Sequence, residues 1–312
     1  MKKCALIFPG QGSQALGMGR LFYEESLGKE MMERASEALG FDMAKLVLEE
    51  AERLDQTAYT QPAILLVSAM AEQWVKSKLS LDVSWAMGHS LGEFSALFSS
   101  GALSLEDALL LVHARGKLMQ RTCEGIDAGM MVVLGLEDAL LEGFCEEKRS
   151  KGFKVWTANY NGEGQIVLAG KRSDLAELEA PLKALGAKRA LLLSMSVASH
   201  CPLLEGMREE FLTHLESKLQ DSFAYPIISN VSAMPYSNKA EAIPLLASQL
   251  ISPVLYKQAI KRHEEGVDFY VECGHGSVLK GLNRRLSQKP TFSIENPAGI
   301  KELELALSKE EA

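Results

Sequence analysis

Short apolar runs alternate with longer stretches of helical period along the first 127 residues. Cys4-Ala5-Leu6-Ile7-Phe8 is apolar at every position and reads as a strand buried on both faces. It ends in Pro9-Gly10-Gln11-Gly12-Ser13-Gln14, a loop that exposes main-chain amides. Helical patterns follow to residue 53. Pro62 predicts the first turn of another helix, which reaches about residue 78. Val83-Ser84-Trp85-Ala86-Met87 reads as a second strand, and Glu93-Phe94-Ser95-Ala96-Leu97-Phe98 as the start of a helix. A further helix runs from residue 105 to about 121, and Gly125 to Gly129 read as a hinge.

The rhythm changes after Gly129. Residues 130–134 read as a strand, 137–149 as a helix, and 153–159 with 165–169 as a hairpin around Asn161-Gly162-Glu163-Gly164. A helix over 173–185 is expected to begin at a Ser173 cap, and a strand covers 188–195. The order β-α-β-β-α-β predicts a ferredoxin-like unit inserted in a larger α/β domain. The division is 1–127 and 196–312 for the large part and 128–195 for the small one. Helices and two short strands, near 227–230 and 268–272, follow the insertion. Residues 301–312 read as a charged amphipathic helix or tail with a solvated face.

Composition narrows the class. The 312 residues suffice for a sizeable core, with 47% hydrophobic and 24% charged side chains. A net charge of −8 argues against general nucleic-acid binding. The five cysteines are scattered without C-x-x-C spacing, which fits a reducing compartment rather than a disulfide framework or zinc site. No apolar run reaches the roughly 18 residues of a membrane span, so a cytoplasmic protein is expected.

The chemistry concentrates at Gly88-His89-Ser90-Leu91-Gly92, between the second strand and its helix. A strand-to-helix turn this tight needs glycine where neighbouring backbone closes in, and it presents the central Ser90 hydroxyl at a helix N-terminus. There the Leu91 amide can stabilise an oxyanion. Serine needs a base within about 3 Å. His89 points elsewhere on such a turn and is expected to pack. His200 lies in a loop of small residues closed by Pro202 and is the candidate base, with a turn histidine as the alternative. No acidic residue presents itself to orient it. A carbonyl can do that work, and Gln249 is a candidate. Arg115 interrupts an otherwise apolar helix and needs an anionic partner, either a protein carboxylate or a substrate carboxylate held bidentately. Met119 could wall the same pocket. Gly10-Gln11-Gly12 lacks the signatures of phosphate binding, so its better use is a second oxyanion donor, the Gln11 amide.

These motifs resemble one family, the malonyl-CoA:acyl carrier protein transacylases of type II fatty-acid synthesis. The resemblance rests on residues 8–14, Tyr59-Thr60-Gln61-Pro62-Ala63, residues 88–93, Arg115-Gly116-Lys117-Leu118-Met119-Gln120, Ser199-His200 and Gly274-His275-Gly276-Ser277-Val278-Leu279. It spans nearly the whole chain and implies an α/β-hydrolase-like large subdomain with an inserted ferredoxin-like small one. By matching position it implies Ser90 as the acylated nucleophile, His200 as base, and Gln11 and Leu91 as oxyanion donors. Arg115 would clamp the malonyl carboxylate, the Gln249 main-chain carbonyl would orient His200, and Asn159 would line the cleft. Malonyl-CoA and acyl carrier protein are the implied partners, and no cofactor is expected. Many members carry a proline where this chain has Ala198, so the resemblance implies a slightly freer loop beside the acyl group and a less strict exclusion of methylmalonyl. An acidic carrier meeting an acidic chain requires a local basic rim, with Arg284, Arg285, Lys188 and Arg189 as candidates. A serine hydrolase, a non-catalytic carrier-binding subunit and a polyketide-pathway acyltransferase are the competing readings.

Overall fold

The computed structural model describes residues 2–195 and 197–308. It is a mixed α/β structure with one mainly parallel sheet and a separate antiparallel sheet. In chain order, β1 (Lys3–Phe8) leads through α1 (Arg20–Tyr23), α2 (Ser26–Leu39), α3 (Met43–Glu49) and α4 (Ala51–Leu54) to the long α5 (Thr57–Lys78). Then come β2 (Asp82–Gly88), α6 (Gly92–Ser100) and α7 (Leu105–Cys123). β3 (Ala128–Leu134), α8 (Asp138–Ser150), β4 (Val155–Gly162), β5 (Gln165–Lys171), α9 (Arg172–Ala184) and β6 (Arg189–Leu192) form the second sheet and its helices. The chain returns through α10 (Arg208–Lys218), β7 (Ile227–Ile228), β8 (Pro235–Tyr236), α11 (Lys239–Gln249) and α12 (Tyr256–His263). It finishes with β9 (Phe269–Glu272), α13 (Val278–Asn283), β10 (Thr291–Ser293) and α14 (Pro297–Ser308).

The large sheet has the order β10-β9-β1-β2-β7-β8, parallel except for β8. β1 lies at its centre, and successive side chains divide between two cores. Cys4, Leu6 and Phe8 pack with the helices from α2 to α7, whereas Ala5 and Ile7 pack with Tyr256, Ile260 and Leu279. The second sheet has the order β4-β5-β3-β6 and sorts the same way. Met131, Val133, Ile166 and Leu168 face α8 and α9, while Met130 and Val167 face the large sheet's core.

Three local expectations are corrected. The α5 helix begins five residues before Pro62, so this proline is interior. Its missing N–H leaves the Ala58 carbonyl without its helical donor, and His113 Nδ1 takes that place at 2.7 Å. Ser173 does not cap α9, which begins at Arg172; the Asp127 carboxylate accepts from the Ser173 amide at 3.0 Å instead. Two short strands, β8 and β10, are additional to those the sequence predicts. The terminal helix starts at Pro297, and the remainder of the expected tail, 309–312, lies outside the described residues. Among the described residues no helix is long and apolar enough to cross a membrane.

Candidate active site

The turn between β2 and α6 is as tight as the glycine spacing requires. A Cβ on Gly88 would lie 1.8 Å from the Gly92 carbonyl carbon, and one on Gly92 would lie 2.1 Å from the Phe8 oxygen. The end of β1 therefore presses directly on this turn. Ser90, between the glycines, has φ 53°, a conformation that costs an ordinary residue of order 1–3 kcal/mol and persists only where its surroundings enforce it.

The structure brings Ser90, His200, Arg115 and Gln249 together from four separate parts of the chain. Ser90 Oγ lies 2.7 Å from His200 Nε2 and 3.2 Å from an Arg115 terminal nitrogen. His200 is itself in the left-handed region, with φ 60°, and is buried. Its Nδ1 donates to the main-chain oxygen of Gln249 at 2.7 Å. Bonding to a carbonyl fixes the tautomer, leaving Nε2 as the acceptor that faces the serine. Burial and the nearby Arg115 charge push the His200 pKa down to about 3, so the imidazole is neutral at physiological pH.

Arg115 projects from α7 into the same space and is 1% exposed. Its hydrogen bonds go to Gln61 Oε1 (2.9 Å), Gln249 Oε1 (3.0 Å) and Ser90 Oγ, all uncharged oxygens. The Nε–H has no partner among the described residues. The guanidinium also sits over the Phe94 ring at 5.4 Å. Burial lowers its pKa to about 10, against which the Glu93 charge acts, and burial raises Glu93 to about 7. A cation held this way by neutral groups is poised to bind an anion.

These groups open on a cleft of about 580 Å³ between the two sheets. Gln11, Leu91, Met119 and Asn159 line it. The main-chain amides of Gln11 and Leu91 make no hydrogen bond among the described residues. Met119 Sδ accepts from Gln61 at 3.2 Å. Asn159 forms a bridge with Val254, tying β4 to the segment after Gln249. His89, set aside as a base, turns its Nε2 to Asn161 Oδ1 at 2.7 Å. Cys201, beside His200, is fully buried, and its thiol is pushed up to about 12. It is therefore a poor competing nucleophile.

Gln61, Glu93, Asn161 and Asn230 join the site without a role legible in the sequence. Glu93 is 1% exposed and accepts from Gln249 Nε2 (2.7 Å), Tyr236 Oη (3.1 Å) and the Asn230 amide (3.3 Å). Gln61 and Glu93 do fall inside the short motifs around Pro62 and Ser90. Asn230 carries no such signal.

A serine bonded to a neutral, oriented imidazole beside a buried cation defines a site suited to covalent acyl transfer. The chain belongs to the acyl transferase domain family, whose sequence model matches residues 5–306. It is 38% identical over 290 residues to the malonyl CoA-acyl carrier protein transacylase of Haemophilus influenzae, covering 92% of this chain and 93% of the relative. The malonyl-CoA:acyl carrier protein transacylase of Helicobacter pylori superposes with a TM-score of 0.95 at 50% identity, covering 99% of each chain. A type II PKS acyl-carrier protein in complex with its malonyl-transacylase also matches, with TM-score 0.93, 34% identity, and coverage of 98% of this chain and 100% of that one.

Proposed function

We propose that this protein transfers a malonyl group from coenzyme A to the phosphopantetheine thiol of acyl carrier protein, in fatty-acid biosynthesis, through a seryl-malonyl ester. The observation that carries the reading is the placement of one serine hydroxyl within hydrogen-bond reach of both a neutral histidine and a buried arginine.

In the first half-reaction Arg115 pairs with the malonyl carboxylate and sets the thioester carbonyl over Ser90. His200 Nε2 takes the Ser90 proton as Oγ attacks, and the Gln11 and Leu91 amides hold the oxyanion. Collapse breaks the carbon–sulfur bond, and His200 returns the proton to the departing CoA thiolate. The carrier thiol then attacks the ester with His200 again as base, and the proton goes back to Ser90. Gln249 orients His200 through its main chain; Met119 and Asn159 shape the acyl end of the cleft. The cycle uses only side chains and amides of this chain, and ping-pong kinetics follow from the covalent intermediate.

On this reading the large sheet with its tight serine turn is α/β-hydrolase-like. Residues 128–195 are a ferredoxin-like insertion between 1–127 and 196–312. The strand order β4-β5-β3-β6 with α8 and α9 on one face supports that description. Five unpaired, buried cysteines are compatible with a cytoplasmic location.

Intact mass after brief exposure to malonyl-CoA and, separately, acetyl-CoA tests the proposal. One malonyl addition that is lost in Ser90→Ala and discharged by holo-carrier protein is expected. Steady CoA release with free malonate and no transfer would instead make the protein a hydrolase.

A further inference from the structure

Besides Phe8, which accepts from the His89 amide, and Gln249, which donates to the Ser90 carbonyl, one further side chain reaches the strained turn at Ser90 from outside and bonds it twice. Asn230 follows β7, is 1% exposed, and has every polar group engaged. Its side-chain Oδ1 accepts from the Ser90 amide at 2.7 Å, and its Nδ2 donates to the Gly88 carbonyl at 2.7 Å. Its own amide donates to Glu93 at 3.3 Å, and its carbonyl accepts from Leu255 at 2.8 Å. One carboxamide therefore bridges the residues on either side of His89, just where the backbone turns into the left-handed region.

We propose that Asn230 is a positioning residue for the reaction, clamping the turn so that Ser90 Oγ stays on the His200 side of the cleft. The inference rests on Ser90 being the nucleophile. The carboxamide offers an acceptor to the Ser90 amide and a donor to the Gly88 carbonyl at once. An aspartate would set its second oxygen against the Gly88 oxygen at the 2.7 Å where a donor now stands. A second consequence follows from the same geometry. The Ser90 amide is committed to Asn230, so the oxyanion is left to the amides of Gln11 and Leu91.

The experiment compares wild type, Asn230→Ala and Asn230→Asp for acylation by malonyl-CoA and for labelling by a small fluorophosphonate, which reports serine reactivity without needing Arg115. Acylation and labelling, each expressed per folded molecule from the melting curve of that variant, are expected to slow at least tenfold together, with the KM for malonyl-CoA nearly unchanged. A purely structural role would lower the melting temperature and leave the rates per folded molecule alone. Wild-type rates in either folded variant would overturn the proposal. Ser90→Ala, labelled in parallel, separates the two claims: label on that variant removes the nucleophile itself, whereas wild-type labelling of the Asn230 variants removes only the clamp.

Discussion

The bond from His200 Nδ1 to the Gln249 main-chain oxygen, 2.7 Å long, replaces the carboxylate that usually orients a catalytic histidine. The same glutamine's side chain holds Arg115 through Oε1 and the Ser90 carbonyl through Nε2. One residue thus links the proposed base, cation and nucleophile. An uncharged orienter gives the imidazolium no ionic partner, while Arg115 opposes its formation.

The pH dependence of acylation should reflect this. An ordinary histidine, with a pKa of about 6.5, is almost wholly protonated at pH 5. His200, pushed down to about 3, remains neutral there. Measured in Glu93→Gln, which removes the other group titrating in this window, pre-steady-state acylation by malonyl-CoA is expected to change little between pH 8 and pH 5, and a decline centred near pH 6.5 would refute the assignment. The sign for stability follows from linkage. The folded-state pKa lies below the unfolded one, so the His200 contribution is complete above about pH 6.5 and is lost as pH falls toward 3. Glu93 acts oppositely. Its folded-state pKa of about 7 exceeds the ordinary carboxylate value, so it costs stability as pH rises from about 4.5 through 7.

Arg115→Ala should lose malonyl transfer while keeping or gaining acetyl transfer. Truncating one partner of a buried charge pair costs about 2–5 kcal/mol, a factor of roughly thirty to a few thousand in kcat/KM. Arg115→Lys keeps the charge but not the planar fork now held by Gln61 and Gln249, and it should fall between the two. Rates for both thioesters, measured side by side, decide the matter. Equal malonyl rates in Arg115→Ala and wild type would eliminate the clamp.

The parts of this site that were legible in the sequence are those set by local spacing. Glycines flanking Ser90, and a lone arginine on an apolar helix, each say what the chain must do within a few residues. Gln61, Glu93 and Asn230 act across 54, 156 and 140 residues, and such partnerships leave no periodic trace. The same limit explains the corrected elements. Pro62 lies inside a helix because His113 arrives from α7, and α9 begins without Ser173 as cap because Asp127 reaches its amide. Strands of two and three residues, such as β8 and β10, are too short to show alternation.

The pairing of Pro62 and His113 makes a stability prediction. His113→Phe removes the donor to the Ala58 carbonyl in a buried setting and should cost about 1–3 kcal/mol. Pro62→Ala restores a helical N–H to that carbonyl, so the double variant should recover part of the loss. Denaturant unfolding of the two singles and the double reads the coupling. Strictly additive losses would show that the carbonyl does not link them.

The candidate basic rim can be tested through the second substrate. Arg284 and Arg285 are exposed and directly follow α13, whose Val278 and Leu282 line the cleft. Reversing both charges is expected to raise the KM for carrier protein severalfold at low salt, an effect that diminishes as salt screens it, with the KM for malonyl-CoA unchanged. An unaltered carrier KM would exclude them.

Two glycine-to-alanine substitutions should have opposite outcomes. Gly143 lies inside α8 with nothing within 4 Å of an added methyl, so Gly143→Ala gains helix propensity and should stabilise the fold by about 0.5–1 kcal/mol. At Gly92 the methyl would lie 2.1 Å from the Phe8 oxygen, which is backbone of the central strand and cannot rotate aside. Relief requires β1 and the Ser90 turn to separate, and that displaces the loop after β1, which carries the proposed Gln11 donor. Gly92→Ala should therefore lose more than about 1–3 kcal/mol, the usual cost of overpacking, and any folded fraction should acylate poorly. Thermal melts of both variants, with acyl-enzyme formation measured on the soluble fraction, provide the comparison. A Gly92→Ala protein with wild-type melting and wild-type acylation would mean that the close approach of β1 to this turn is not what sets the site.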